Sequence, residues 1–226
     1  ITETPIKAVV LLSGGLDSLL TLAELVVKPL HEVERVYALI FTYGQSSNTE
    51  IYKAREVCEA WGVPYEIMPI NMRGTDTSKE IPARNLIFVS YAASVAKDLG
   101  FNSIAIGAEP DSTYTDSSTR FLEEANQLLS LFDLQLIAPV KTMSNKKALV
   151  LRALDLGVPL HLCHSSRSNA VDGNCKTSSL FLRSLSQVFH NGFLTPLEIL
   201  GQLSGMRYKF NLDRKEFSIK YFENNS

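Results

Sequence analysis

The sequence predicts an α/β fold in which helices cover both faces of an open, mostly parallel sheet. Strand-like and helix-like segments alternate at least five times along the chain, which is typical of parallel strands joined by crossover helices. The strand-like segments are continuous apolar runs, as expected of strands that are buried on both faces. With 226 residues, the chain fits one medium domain with a small appendage and needs no disulfide or metal to hold a core.

The predicted strands and helices follow from local patterns of apolar residues. Strands are predicted where short apolar, β-branched runs stand between turn signals, at residues 8–12, 35–41, 65–70, 103–107 and 134–138. Helices are predicted between these runs, over residues 19–25, 49–61, 86–99, 119–132 and 145–156. Gly62, Gly100 and Gly157 follow three of these helices at the position where glycine commonly ends a helix. The polar stretches 71–80 and 108–118 are predicted loops.

The composition changes near residue 191. A short helix pattern at residues 196–203 precedes two alternating runs between residues 206 and 222, which predict a hairpin. We therefore divide the chain into a domain of residues 1–190 and a C-terminal appendage of residues 191–226, to which the sequence assigns no role.

Charge and cysteine content restrict the class of protein. Lys and Arg total 22 against 24 Asp and Glu, so the net charge of -2 gives no overall electrostatic footprint for nucleic acid, which is not an expected partner. Three cysteines do not make a secreted disulfide framework, which favours a reducing compartment. The apolar segment 86–96 is too short to span a bilayer, and no signal-peptide pattern is present. We expect a soluble, cytoplasmic protein without membrane contact and, because the sequence begins with Ile1, an initiator or leader removed from it.

The strongest functional signal is the stretch Ser-Gly-Gly-Leu-Asp-Ser at residues 13–18. A buried strand precedes it and a helix follows it, so the backbone at the glycines can approach a ligand and the first helical N–H groups are unpaired. This arrangement favours an anion such as phosphate, with an ordinary Gly-Gly turn as the structural alternative. Residues 43–45 and 107–116 also follow predicted strands, and open parallel sheets bind ligands at that edge.

The same motif resembles the pyrophosphate loop of the N-type ATP pyrophosphatases, or PP-loop proteins. It lacks the Gly-Lys-Ser/Thr of a Walker motif, so a kinase-like phosphate cradle is not indicated. The resemblance implies an adenine nucleotide alpha hydrolase-like, Rossmann-like fold that uses ATP for adenylation. It implies that the nucleotide is bound by Ser13, Gly14, Gly15, Leu16, Asp17 and Ser18, with pyrophosphate hydrogen-bonded by the two serines and the amides around the two glycines. Asp17 would help to hold Mg²⁺ rather than contact phosphate directly, because two anions need a cation between them.

A wider set of motifs resembles the 7-cyano-7-deazaguanine synthase (QueC) family across residues 7–165. The set is specific because its members occur in order; they are residues 36–39, 43–45 with Glu50, 82–88, 106–107, Tyr114 with Asp116, 138–139, and Lys146 with 156–159. The resemblance implies a carbon–nitrogen ligase that adenylates the carboxylate of 7-carboxy-7-deazaguanine. Such an enzyme forms the amide with ammonia and, after a second activation, dehydrates it to a nitrile.

The resemblance also implies roles for residues outside the loop. Arg84 and Lys146 would act with Asp17 in catalysis by neutralising phosphate charge, whereas their structural alternatives are helix-end solubility and a surface charge. Phe41 and Gly107 would contact the nucleotide. The deazapurine would be bound by Tyr43, Gln45, Asn85, Tyr114 and Asp116, for which turn and capping chemistry is the alternative.

The sequence departs from the family where the family carries a four-cysteine zinc site. The ligand positions correspond here to Ser166, Cys175, Ser178 and Phe181, so at most one family ligand is kept. Structural zinc requires thiolate or imidazole ligands. A substitute site from His161, Cys163, His164 and Cys175 would have unusual spacing, because Cys163 and His164 are adjacent. Zinc is therefore not expected, and loop cysteines are the alternative interpretation.

Three functions remain open at this stage. The first is the deazapurine-carboxylate ligase, with ATP and Mg²⁺. The second keeps that substrate but joins the activated deazaguanine to a protein or nucleic-acid partner, since divergent members of the family occur in antiphage defence operons; a protein from the same operon is then an expected partner. The third is a non-catalytic nucleotide-binding scaffold. A homodimer is also considered, through the apolar residues 194–203 or the terminal hairpin.

Overall fold

The computed structural model contains the predicted open sheet of five parallel strands. It describes residues 4–27, 29, 32–44, 49–72, 81–110, 112–158, 208–211 and 216–219. The strands are β1 (Ile6–Leu11), β2 (Val33–Thr42), β3 (Tyr65–Pro69), β4 (Ser103–Ile106) and β5 (Gln135–Ile137). Their order across the sheet is β3-β2-β1-β4-β5, and every neighbouring pair is parallel. The predicted fold class is thus confirmed.

Within the described residues, five helices connect or follow these strands. They are α1 (Leu16–Val26), α2 (Thr49–Trp61), α3 (Arg84–Asp98), α4 (Thr119–Ser130) and α5 (Lys146–Asp155). α1 and α3 begin earlier than the apolar patterns predict, because each first turn contains polar residues, Asp17 and Ser18 in α1 and Arg84 and Asn85 in α3, that are held by contacts outside the helix. Short 3-10 turns at Thr115–Ser117 and Pro139–Thr142 interrupt stretches that the sequence leaves irregular.

The centre of the sheet is buried on both faces, and its buried runs, residues 8–11, 38–41 and 103–106, are apolar apart from Ser103. Alternate residues of β1 enter different cores: Ala8 and Val10 lie in one, Val9 and Leu11 in the other. The first core contains the apolar faces of α1, α2 and α5. The second contains those of α3 and α4. The predicted helices on both faces are therefore present.

The order in which strands are added to the sheet reverses at β1. From β1 the chain passes to β2 and β3 on one side of the sheet, then crosses to β4 and β5 on the other. The carboxyl ends of β1 and β4 consequently flank a crevice, and such a switch point is where open α/β sheets bind ligands. The Ser-Gly-Gly motif follows β1, and Gly107 follows β4.

The described part of the C-terminal region is a hairpin. β6 (Tyr208–Asn211) and β7 (Glu216–Ile219) pair antiparallel, as the alternating runs predict. The predicted helix at residues 196–203 lies outside the described residues, and the division at residue 190 stays a prediction. Among the helices that the structure describes, none has the length and apolarity needed to cross a membrane.

Candidate functional site

The loop between β1 and α1 is held in shape by its own hydroxyl groups. Ser18 Oγ donates to the carbonyl of Gly15 at 2.9 Å and accepts the backbone N–H of Ser13 at 3.1 Å. The two serine hydroxyl oxygens are 3.0 Å apart, and Gly15 N–H reaches Ser13 Oγ at 3.3 Å. α1 begins directly after Gly15, which offers no side-chain cap. The first-turn N–H groups of α1 are therefore available to an anion.

Two glycines let other segments approach this loop closely. Gly14 has φ +84°, and a Cβ there would strike the backbone carbonyl of Glu50 in the first turn of α2. A Cβ on Gly107 would lie 2.6 Å from both the carbonyl carbon of Asp17 and the nitrogen of Ser18. The loop is thus enclosed by main chain from α2 on one side and from the end of β4 on the other, and neither glycine can be replaced without a shift.

Lys146 brings the start of α5 to this loop. Its Nζ lies 2.8 Å from Asp17 Oδ1 and 3.4 Å from Glu109 Oε1. The side chain is only 9% exposed, which rules out the alternative of a surface charge. Burial alone would lower the pKa of Lys146, but the charges and hydrogen bonds of Asp17 and Glu109 outweigh it, so the pKa is raised. Lys146 therefore remains an ammonium group beside the loop.

Arg84 is the first residue of α3 and approaches from the other face of the sheet. One terminal guanidinium nitrogen donates to Tyr43 Oη at 3.1 Å, and the guanidinium carbon lies 5.8 Å from the ring centre of Tyr43 and 5.9 Å from that of Phe88. Its Nε is buried and has no hydrogen-bond partner. A buried donor without an acceptor is costly, so this N–H is suited to a ligand oxygen.

Glu50 lies near this arginine in the first turn of α2. Burial raises the pKa of Glu50 to about 7, and the positive charge of Arg84 offsets part of that effect. The main-chain carbonyl of Glu50 thus lies against Gly14, while its carboxyl group lies within the electrostatic influence of Arg84.

Asn85 and Asp116 are joined to each other. Asp116 Oδ2 accepts the backbone N–H of Asn85 at 2.9 Å, and Asn85 Nδ2 donates to the Asp116 carbonyl at 2.9 Å and to Ser117 Oγ at 3.1 Å. The capping chemistry considered for Asp116 is present, although the helix it caps is α3 rather than the one that follows it. Ser118 caps that following helix, α4, by accepting from Phe121 N–H at 3.1 Å.

The remaining predicted site residues differ in their exposure. The Phe41 side chain is 6% exposed and stacks on Phe88 with ring centres 4.3 Å apart, so any contact of Phe41 with a nucleotide falls to its main chain. Tyr114 is 40% exposed on its loop. Gln45 and the weak metal candidates Cys163, His164 and Cys175 lie outside the described residues.

Glu50, Glu109 and Lys141 belong to this cluster but are not among the predicted site residues. Glu109 is the second carboxylate on Lys146. Lys141 Nζ donates to the carbonyls of Glu109, Pro110 and Ser117 at 3.0, 3.3 and 2.9 Å. Glu109 and Lys141 both follow a strand at the same edge of the sheet, the position that singles out Tyr43 and Asp116. The position after a strand indicates which loops lie near the site, but not which polar side chain of each loop contacts it.

The carboxylates fit a metal only together with phosphate. Within residues 4–158, as far as they are described, no three His, Cys, Asp or Glu side chains form a metal-binding group. Asp17 and Glu109 are the acidic pair beside the loop, and both contact Lys146. Mg²⁺ in nucleotide sites commonly takes one or two carboxylates and completes its shell with phosphate oxygens and water. This donor set is compatible with that pattern and not with a metal cage made of protein alone.

Solved structures with the same fold include proteins of different activity. A U34-tRNA thiolase, NcsA, of Methanococcus maripaludis with its [4Fe-4S] cluster aligns with a TM-score of 0.53 and 19% identity, covering 91% of this chain and 72% of that one. An NMN synthetase of Francisella tularensis also gives a TM-score of 0.53, with 17% identity and coverage of 89% and 83%. At such identities the likeness shows the fold alone.

Sequence relatives are more informative. The family model for the queuosine biosynthesis protein QueC matches residues 7–79 and 72–188. A 7-cyano-7-deazaguanine synthase of Thermoplasma volcanium is 31% identical, covering 86% of this chain and 91% of that protein. The enzyme of the same name from Clostridium kluyveri is also 31% identical, with coverage of 87% and 99%. The chain therefore belongs to the QueC family.

Proposed function

We propose that this protein is an ATP-dependent ligase that adenylates the carboxylate of a 7-deazaguanine, with 7-carboxy-7-deazaguanine as the substrate. Membership of the QueC family supports an ATP-using ligase of the queuosine pathway. The observation that carries the proposal is the pairing of buried Lys146 with Asp17 at the start of α1, next to a loop whose first helical N–H groups are uncapped. A cation and unpaired amides at one place suit a departing pyrophosphate.

The described residues supply a role for each part of the reaction. A carboxylate oxygen of the deazapurine attacks the α-phosphorus of ATP, the bond to the bridging oxygen breaks, and pyrophosphate leaves with the electron pair. The hydroxyls of Ser13 and Ser18 and the first amides of α1 bind the leaving group. Lys146 neutralises the negative charge that develops on it, and the buried Nε of Arg84 donates to a phosphate or carboxylate oxygen.

Substrate recognition and metal binding are assigned to the surrounding residues. Tyr43, Asn85, Tyr114 and Asp116 belong to the loops and helix start at this edge of the sheet and would bind the purine. Mg²⁺, when bound through Asp17 and phosphate oxygens, would neutralise phosphate charge and orient the triphosphate.

The direct test is to incubate the protein with ATP, Mg²⁺, 7-carboxy-7-deazaguanine and an ammonium salt, which supplies the nucleophile that displaces AMP, and to measure pyrophosphate and AMP. We expect both products in equal amounts, and their loss in Lys146→Met. Lys97→Met is the matched control, because Lys97 is an exposed lysine at the end of α3 that donates to the Phe132 carbonyl, away from the loop. Nucleotide binding without pyrophosphate release in the unaltered protein would overturn the proposal and favour the non-catalytic scaffold.

A second candidate differs only in what receives the activated carboxylate. The loss of cysteine at positions 166, 178 and 181 favours it, since a changed zinc module accompanies a retained adenylation loop. In this candidate, the amine of a macromolecule replaces ammonia. Mass spectrometry of proteins encoded beside this gene, incubated with the enzyme and its substrates, distinguishes the two: a deazaguanine-sized mass gain supports the macromolecular acceptor, and formation of free amide or nitrile supports ammonia.

A further inference from the structure

Lys141 has an unusual set of partners for a lysine near a phosphate site. Its ammonium donates to three main-chain carbonyls, those of Glu109, Pro110 and Ser117, at 2.9–3.3 Å. An ammonium has three N–H donors, so these contacts use all of them. The Lys141 side chain is half-buried. Its main chain lies in the 3-10 turn Pro139–Thr142, in which the neighbouring Val140 is fully buried in the core.

The three carbonyls belong to the two ends of one loop. Glu109 and Pro110 stand near the end of β4, and Ser117 stands just before α4, so Lys141 ties together the beginning and the end of residues 109–117. A loop of this length would otherwise have many conformations. The ammonium belongs to a turn that is anchored in the core by Val140, so its hydrogen bonds restrict both ends of the loop.

Each end of this loop carries a side chain that contacts the candidate site. At the beginning, the Glu109 carboxylate lies 3.4 Å from Lys146 Nζ. At the end, Asp116 accepts the N–H of Asn85, the second residue of α3, directly after Arg84. Lys141 therefore donates to the main-chain carbonyl of Glu109 and to that of Ser117, which directly follows Asp116.

We propose that Lys141 is a positioning residue which, through the loop 109–117, sets the places of Lys146 and Arg84 on opposite sides of the nucleotide crevice. Lys141 itself touches no reacting atom. Its catalytic consequence rests on the proposed function, because it presumes that both cations act on the same phosphoryl transfer. A small displacement of a positioned group can lower the rate on the order of 100-fold, so a displaced loop should be detectable as a loss of activity.

The test compares Lys141→Met, Lys141→Arg and the control Lys97→Met. Methionine keeps most of the aliphatic stem and loses the donors, whereas arginine keeps charge and donors. With ATP, Mg²⁺, 7-carboxy-7-deazaguanine and an ammonium salt, we expect kcat for pyrophosphate release to fall about 10- to 100-fold in Lys141→Met, with the KM for ATP changed less than about threefold. Lys141→Arg should recover part of the loss, and Lys97→Met should match the unaltered protein.

A second readout does not depend on catalysis. Hydrogen–deuterium exchange of the ligand-free protein should become faster in peptides covering residues 109–117 and the first turn of α3 in Lys141→Met, and stay unchanged in β1 and β2. If the unaltered protein releases no pyrophosphate, the proposed function fails while this exchange pattern still supports the positioning role. Unchanged exchange in both peptides would overturn it, as would faster exchange throughout the sheet, which would show a general loss of stability.

The double variant Asp116→Ala/Lys141→Met tests the route through the end of the loop. If Lys141 acts on Arg84 through Asp116, the double variant should lose little more activity than the worse single variant. Losses that multiply would contradict that connection.

Discussion

Replacing Glu50 with glutamine should remove a pH-dependent loss of stability. Glu50 is half-buried, and burial of its carboxyl group raises the pKa from 4.5 to about 7, with a smaller opposing effect of Arg84. Between these values, the folded protein binds a proton that the unfolded chain does not, so the free energy of unfolding falls as the pH rises. The difference of about 2.5 pH units corresponds to about 3.4 kcal/mol in all, at roughly 1.4 kcal/mol per pH unit, and about 2.5 kcal/mol of it falls between pH 5 and pH 8.

The assay is urea unfolding of the unaltered protein and Glu50→Gln at pH 5 and pH 8. The stability of Glu50→Gln relative to the unaltered protein should increase by about 2.5 kcal/mol between the two pH values, because glutamine never acquires the buried charge. Glu56→Gln, an exposed substitution on the same helix, should keep the pH dependence of the unaltered protein. If the curves for Glu50→Gln and the unaltered protein run parallel, the burial argument for Glu50 is refuted.

Three further substitutions test other parts of the structure. Gly107→Ala should destabilise the protein by about 2 kcal/mol and reduce pyrophosphate release, because the added Cβ meets the first turn of α1. The control is Gly100→Ala: Gly100 has a φ of +67°, but an added Cβ meets no atom within 4 Å. This control should lower stability in urea unfolding and leave kcat unchanged. Asp17→Asn should lower pyrophosphate release by about 100-fold or more, since Lys146 then keeps only Glu109; retained activity would exclude Asp17 from catalysis. Arg152→Met should lower the free energy of unfolding in urea by about 3 kcal/mol, because it leaves the buried carboxylate of Glu24 unpaired. Arg120→Met, which removes an exposed ion pair with Glu124, should lower it by less than about 0.5 kcal/mol. Equal losses would refute the distinction between the buried and the exposed pair.

Much of the fold follows from the sequence because its signals are local. The apolar runs place all five parallel strands, and the glycines after α2, α3 and α5 mark where those helices end. The motif at residues 13–18 is likewise local, since its shape comes from hydrogen bonds between residues no more than five positions apart. Such local patterns can be recognised in a single sequence.

The contacts that complete the site are not local. Lys146 and Asp17 are 129 positions apart, and Asn85 and Asp116 are 31 apart. The sequence and its family resemblance predict that these residues belong together, but not that Asp116 caps α3 or that Glu109 shares Lys146. The start of α3 at Arg84 is missed for the same reason, because a carboxylate from another loop fixes its first turn. Lys141 is not found at all, since its acceptors are carbonyl groups that every residue carries.

The wide separation of Asp17 and Lys146 also has a consequence for synthesis of the protein. A nascent chain that has emerged as far as residue 130 contains β1 to β4 and the whole Ser-Gly-Gly loop, yet it lacks the lysine that faces this loop. Domains generally fold as units, and residues of α5 belong to the same core as β1 and α1. The pair of Asp17 and Lys146 therefore forms only after the chain has been made as far as α5. A translation product that stops before residue 146 would contain the whole loop and lack this pair.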